Sequence, residues 1–259
     1  MTNDPLLAAE ADGAGVDRIG VDLEQLGKAE RQAGHNTRVS QHSWEDFSRV
    51  GAAIAGAELF ARLNPVNRDT AAEIERALEL GVEVLMLPYF HTVEEVATFV
   101  RLVRGRALVV VLIETAAALV RIRDVLAVPG IDEAMIGLND LRLQIGVANH
   151  FEVLVSPLID AAAEVTRRRG LPFSVGGVGR VDAVGMPVPP QLVLAQYPRL
   201  GATGALVARA FSTGVSPDFR FDRAIADLRG CLDDWAKASP QALEAARDEL
   251  ARHAAAWHP

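Results

Sequence analysis

Residues 107–115 read ALVVVLIET, and residues 133–141 read EAMIGLNDL. The first is an unbroken apolar run, Ala107 to Ile113, that ends on a carboxylate, Glu114. A run of that length, rich in Val and lacking polar alternation, is the pattern of a strand covered on both faces, as in a parallel sheet. The second stretch repeats the arrangement: Glu133 to Gly137 is strand-like and Asp140 follows it. The two acids lie 26 residues apart, about one strand-helix unit, which places them at the ends of adjacent strands.

The same alternation extends in both directions. Arg18 to Leu23, Glu58 to Leu63 and Val82 to Leu87 precede the decisive pair as short apolar runs, and Pro172 to Val175 and Gly204 to Ala208 follow it. Between them lie helical patterns at Thr70 to Leu80, Thr92 to Val103, Ala116 to Leu126 and Pro157 to Arg169. Asp69 is a candidate cap for the first, and Thr92 with Glu95 forms a capping box for the second. The fold class is therefore α/β, and the expected architecture is a (β/α)8 TIM barrel. Seven strands are visible; only Met1 to Asp4 precede the helix Pro5 to Ala14, so the first strand is expected to be truncated. Residues 1–216 form the expected barrel domain. Residues 217–259 read as two further helices, Arg220 to Ala236 and Pro240 to Trp257, whose Leu232, Trp235, Leu243, Leu250 and Trp257 suggest packing on a neighbouring subunit.

Composition bounds the partners. The chain has 259 residues, 50% of them hydrophobic, and a net charge of −8, which argues against nucleic acid or an anionic membrane surface. No apolar run is long enough to span a bilayer, and Asp4, Glu10 and Asp12 interrupt any leader-like segment. With a single cysteine, Cys231, no internal disulfide can form, so a cytoplasmic location is expected. The 26 basic residues are 24 Arg and 2 Lys, Lys28 and Lys237, and neither lysine lies within a strand. An imine-forming lysine is therefore disfavoured.

Catalytic groups of such barrels sit at the C-terminal ends of the strands. Neighbouring strands run ~4.8 Å apart, so Glu114 and Asp140 repel unless a proton or a cation lies between them. A divalent ion with oxygen ligands, Mg2+ or alternatively Mn2+ or Co2+, fits that pair. Arg62 ends another strand among apolar neighbours and must be paired or used, either bridging Glu114 or Glu24 or stabilising developing enolate charge. Glu24 stands at the same mouth, with Lys28 and Arg31 beyond it as cations that could receive an anionic substrate. His42, followed by Trp44, Glu45 and Asp46, is either a general base or a residue at a helix start. The glycines at 176, 177 and 179, followed by Arg180, resemble an anion-binding loop, though not a Rossmann fingerprint, or else form a tight turn that lets the backbone approach a ligand or another strand. The six histidines form no zinc pattern, and neither a G-x-S-x-G elbow nor a P-loop occurs.

These motifs have a collective resemblance. VDLE at 21–24, ARLNP at 61–65, MLP at 86–88, IET at 113–115 and GLNDL at 137–141, in this order and spacing, resemble the HpcH/HpaI-type 2-oxoacid aldolase and citrate lyase β-subunit family, a branch of the pyruvate kinase-like barrels. The likeness runs from about Asp4 to Phe211. It implies that Glu114 and Asp140 hold the divalent ion, that Arg62 contacts the substrate's oxo group, and that Gly137, Leu138, Asn139 and Asp140 present backbone amides to its carboxylate. It also implies trimers or hexamers. The chain departs from the hydroxy-oxoacid aldolases at Gln25, where they carry a histidine of the acid/base apparatus. The expected function is a metal-dependent (class II) aldolase or carbon–carbon lyase acting on a 2-oxoacid through an enolate. The alternatives are a citrate lyase-like or malyl-type acyl-CoA lyase, with Lys28, Arg31 and Arg180 as coenzyme A cations, and a non-catalytic carboxylate-binding barrel.

Overall fold

In the computed structural model, which describes residues 1–28, 41–212, 215 and 218–258, the apolar runs form one parallel sheet. Its strands are β1 (Arg18–Asp22), β2 (Glu58–Arg62), β3 (Val84–Leu87), β4 (Leu108–Ile113), β5 (Glu133–Ile136), β6 (Phe173–Val178) and β7 (Gly204–Val207), ordered β1 to β7 as in the chain. A closed eight-stranded barrel is not what the described residues form. Among them β1 and β7 are the two edges of a seven-stranded sheet, and no eighth strand separates or joins them. The short segment before the first helix does lie along β1: the Thr2 N–H donates to the Gly20 carbonyl at 2.8 Å.

The helices cover the outer face. They are α1 (Pro5–Gly13), α2 (Trp44–Gly51), α3 (Thr70–Glu79), α4 (Val93–Val103), α5 (Ala116–Val120), α6 (Ile122–Val125), α7 (Leu138–Ile145), α8 (His150–Leu154), α9 (Pro157–Arg168), α10 (Pro190–Leu200), α11 (Phe221–Ala236) and α12 (Pro240–Ala256). The capping box of α4 is present, with Thr92 Oγ1 accepting from the Glu95 N–H and Glu95 Oε2 accepting from the Thr92 N–H. The expected single helix over 116–126 is two short ones that meet at Arg121. Both C-terminal helices pack on their own chain: α11 against α1 and α10, and α12 against α10 and α8. Leu250 is fully buried there, and the Trp257 ring lies against Phe151 with centroids 5.6 Å apart. Asn149, also buried, donates from Nδ2 to the carbonyls of Ala254 and Trp257. Much of the apolar surface that suggested a neighbouring subunit is thus used within the chain.

Strand alternation sorts the side chains. One face of β2 to β5 sends Phe60, Val84, Met86, Val110, Leu112 and Met135 into an interior cluster. The other sends Leu59, Ala61, Leu85, Leu87, Val109, Val111 and Ile136 against the helices. A cavity of about 570 Å3 adjoins the interior cluster and reaches the β1 and β7 edges, where Met1, Gly20, Ser174 and Leu206 line it. At the N-terminal end of the sheet Arg18 spans Glu58 and Glu133 at 2.7 and 2.6 Å.

Candidate active site

The inward-facing register continues past the apolar plug and changes chemistry. Two residues beyond Gly20 is Asp22, two beyond Phe60 is Arg62, two beyond Leu112 is Glu114, and two beyond Met135 is Gly137. A charged layer therefore sits directly above an apolar one, at the C-terminal ends of the strands. The parallel register sets Asp22 opposite Arg62.

Arg62 closes on Asp22 as a two-pronged fork, Nε to Oδ1 at 2.8 Å and Nη2 to Oδ2 at 2.6 Å, and its Nε lies 3.4 Å from Glu24 Oε2. Lys28 completes the network, donating from Nζ to Glu24 Oε2 at 2.8 Å and lying 3.4 Å from Asp22 Oδ2. Asp22, Glu24 and Lys28 are 1%, 0% and 5% exposed. Burial works against the Arg62 charge, but Asp22, Glu24 and Glu114 outweigh it and hold the guanidinium protonated. Asp22, whose pairing sequence reasoning missed, is the anchor of Arg62. Lys28 is a buried counter-ion to these acids, in contrast to the loop cation presented to an anionic substrate that its sequence position suggested. Arg31 lies outside the described residues.

Glu114 is buried directly after β4. Its Oε1 accepts the Tyr89 backbone N–H at 3.0 Å. Burial, then the nearby Glu24 and Asp140 carboxylates, push its pKa well above the usual carboxylate range, against the opposing pull of Arg62 and the Tyr89 amide. Asp140, also buried, lies in the first turn of α7, whose N-cap is Gly137 and whose start carries no side-chain cap bond. Helix initiation here leaves the Leu138 and Asn139 amides without intrahelical acceptors at the positive end of the helix. Leu138 is buried beneath the glycine loop: a Cβ on Gly176 would fall 2.6 Å from Leu138 Cδ1. Gly176 also has a left-handed backbone, φ 58°, which together with that close approach accounts for the glycine.

Gly137 is required by Glu114 in the same way. A Cβ there would lie 2.6 Å from Glu114 Oε2 and 2.7 Å from Glu114 Cβ, so rotating the carboxylate away does not relieve the clash. Gly137→Ala is expected to displace Glu114, lower stability by about 1–3 kcal/mol and weaken divalent-cation binding about tenfold or more. Urea unfolding and Mn2+ titration check both.

His42 lies just before the α2 cap, Ser43, and its Nδ1 accepts the Asp22 backbone N–H at 3.0 Å. Burial lowers its pKa, so the imidazole is neutral with its proton on Nε2. The general-base role expected for His42 conflicts with this geometry, because the basic nitrogen is already occupied. Gln25 donates from Nε2 to the His42 carbonyl at 3.3 Å, and its own N–H donates to Asn64 Oδ1 at 2.9 Å. Gln25 thus fastens the His42 segment to the end of β2.

Among the described residues no group of three or more His, Cys, Asp or Glu forms a ready metal cage. The donor set nevertheless suits a hard divalent ion: Glu114 and Asp140 offer only oxygen ligands, and Gly137 is hollowed out around Glu114. Two carboxylates with water and substrate oxygens are the usual complement for Mg2+. The four buried acids of this layer, Asp22, Glu24, Glu114 and Asp140, share Lys28 and Arg62, and Arg209 and the N-terminal amine act electrostatically on the same network.

A family model described as HpcH/HpaI aldolase/citrate lyase matches residues 1–168. The chain belongs to that family. The HpcH/HpaI aldolase/citrate lyase family is one of lyase-type enzymes, and solved structures agree on the fold. An HpcH/HpaI aldolase from Desulfitobacterium hafniense DCB-2 superposes with a TM-score of 0.62 at 18% identity, covering 80% of this chain and 83% of that one. An HpcH/HpaI aldolase/citrate lyase family protein from Burkholderia cenocepacia J2315 gives 0.62 at 16% identity, covering 90% of each. The citrate synthase SbnG gives 0.59 at 18%, covering 79% and 82%. No curated protein matches the chain by sequence. Among the described residues no helix is long and apolar enough to cross a membrane.

Proposed function

We propose that this family member is a divalent-cation-dependent carbon–carbon lyase, an aldolase of class II type, that cleaves or forms a 2-oxoacid. The supporting observation is the layer above the apolar cluster, where Glu114, its pKa raised by burial and then by Glu24 and Asp140, stands near a guanidinium held in place by Asp22. Mg2+, or Mn2+ or Co2+, bound through Glu114 and Asp140 supplies Lewis acidity toward the substrate's carboxylate and oxo oxygens. The Leu138 and Asn139 amides at the start of α7 receive the carboxylate. Arg62, whose Nη1 bonds no described residue, donates to the oxo oxygen and stabilises the negative charge that grows there as the carbon–carbon bond breaks. Glu24 and Lys28 keep that guanidinium oriented, so Glu24 acts by positioning. His42 offers an Nε2–H donor at the same mouth.

The acyl-CoA alternative loses support at two of its three cations, Arg31 lying outside the described residues. Lys28 is consumed by Glu24 and Asp22, and Arg180 donates to the Phe211 carbonyl at 2.9 Å and stacks over Phe219. Assembly as a trimer or hexamer, in a cytoplasmic setting, belongs to the same proposal and is read by light scattering. The decisive assay offers a panel of 4-hydroxy-2-oxoacids with Mg2+. Pyruvate release that stops with a chelator and returns with Mn2+ is expected; turnover of a thioester instead, with no pyruvate from any member of the panel, overturns it.

A further inference from the structure

Tyr89 has a left-handed backbone, φ 46°, which a bulky side chain adopts only at a cost of about 1–2 kcal/mol. Strain of that kind persists where surrounding contacts over-determine it, and it clusters at functional sites. Here it aims the Tyr89 N–H at Glu114 Oε1. The Tyr89 ring meets His91 edge-on, centroids 5.1 Å apart, and its hydroxyl is held from another element. Gln144 Nε2 donates to the Tyr89 hydroxyl at 2.8 Å, while Gln144 Oε1 accepts the Ala116 N–H at 2.9 Å. Gln144 lies one helical turn beyond Asp140 on α7, and Ala116 is two residues beyond Glu114. A single amide thus ties together the turn that donates to Glu114, the helix start that follows Glu114, and the helix that carries Asp140.

We infer that Gln144 is a positioning residue, a clamp that fixes Glu114 relative to the helix carrying Asp140 by holding Tyr89, whose N–H bonds Glu114. The inference rests on the reading of those two acids as cation ligands, and it predicts a role for a side chain that touches neither acid. The clamp lies on the surface, so its loss loosens the site without opening the core. Both of its bonds are replaceable by water in the unclamped form, which makes its energetic effect one of order and geometry.

The test uses Gln144→Met, which keeps the length and removes both bonds, Tyr89→Phe, which removes only the hydroxyl, and the double variant. Mn2+ affinity, measured on the full chain without substrate, is expected to fall about tenfold in Gln144→Met, while kcat at saturating cation stays within about twofold. Tyr89→Phe should reproduce part of the loss, and the double variant should lose no more than Gln144→Met, because both act through one contact. In the metal-free protein, hydrogen exchange of the Tyr89 amide should accelerate about tenfold or more in Gln144→Met. Unchanged Mn2+ affinity, or unchanged exchange at Tyr89, overturns the clamp. Failure of the unmodified protein to bind Mn2+ overturns the lyase reading instead, and the exchange measurement then still decides whether Gln144 holds Tyr89.

Discussion

Glu114→Gln is expected to abolish divalent-cation binding and lower turnover on the order of 10^3-fold or more, the scale set by losing a group that anchors transition-state charge. The same substitution should stabilise the metal-free protein at alkaline pH. Glu114 is buried against Glu24 and Asp140, so its folded pKa is raised above the unfolded value. A carboxyl of that kind contributes fully while it is protonated, below the ordinary Glu pKa of about 4.3. The contribution is lost as pH rises through the raised folded value, where a third negative charge must be held beside two others. Metal-free wild type should therefore lose stability between mildly acidic and alkaline pH, and Glu114→Gln should lose markedly less over the same interval. Saturating Mg2+ should restore wild type at alkaline pH and leave Glu114→Gln unmoved. Thermal melts at pH 5 and pH 8, with and without Mg2+, read all four states. An equal pH dependence in both proteins means that Glu114 does not face the other carboxylates as an ionised group.

The strands were legible because hydrophobic runs bounded by acids leave little choice of conformation, and six of the seven end within about one residue of where the pattern breaks. Phe173–Val178 runs further, because its two glycines, Gly176 and Gly177, weaken the apolar signal while the strand continues. GLNDL at 137–141 reads as a strand end, yet it is a helix start: Gly137 caps, and the Asp140 carboxylate enters the first turn. Helix α10 was missed because PVPPQ at 187–191 reads as a breaker. Pro190 falls at the first turn, where its missing N–H costs nothing, and Pro198 is tolerated near the far end.

At the site the residue types were legible but their pairings were not. VDLE places Asp22 and Glu24 on one face, and nothing in the sequence says which of them takes Arg62. Strand register decides it, since Asp22 lies opposite Arg62. Lys28 has the spacing of a loop cation and also lies four residues beyond Glu24; burial of the local turn converts that spacing into an internal ion pair. Gly137 and Tyr89 act through space they leave free and through a backbone angle. Neither property has a sequence signal beyond the glycine itself.

Arg62 separates scaffolding from chemistry. Arg62→Ala takes from the buried Asp22 and Glu24 the guanidinium they share, Lys28 staying beside both, and breaking a buried pair on one side typically costs about 3–5 kcal/mol. Loss of activity in that variant alone is therefore ambiguous, since a site that no longer folds cannot turn over. Replacing both partners removes the ambiguity: an ion pair exchanged for neutral groups of similar volume is often close to neutral in stability. The double variant Asp22→Asn with Arg62→Met is accordingly expected to recover most of the stability lost in Arg62→Ala, with a urea midpoint nearer wild type. Its turnover should remain on the order of 10^2-fold or more below wild type, because the donor facing the oxo oxygen is still absent. Arg62→Lys should fold well and fall between the two, since an ammonium preserves the charge but cannot hold Asp22 by a fork while donating to substrate. Full turnover in the double variant would reduce Arg62 to a strut for Asp22. Recovered folding with intact oxoacid and Mn2+ binding but no turnover places its contribution in the bond-breaking step, which a non-catalytic carboxylate-binding barrel does not possess.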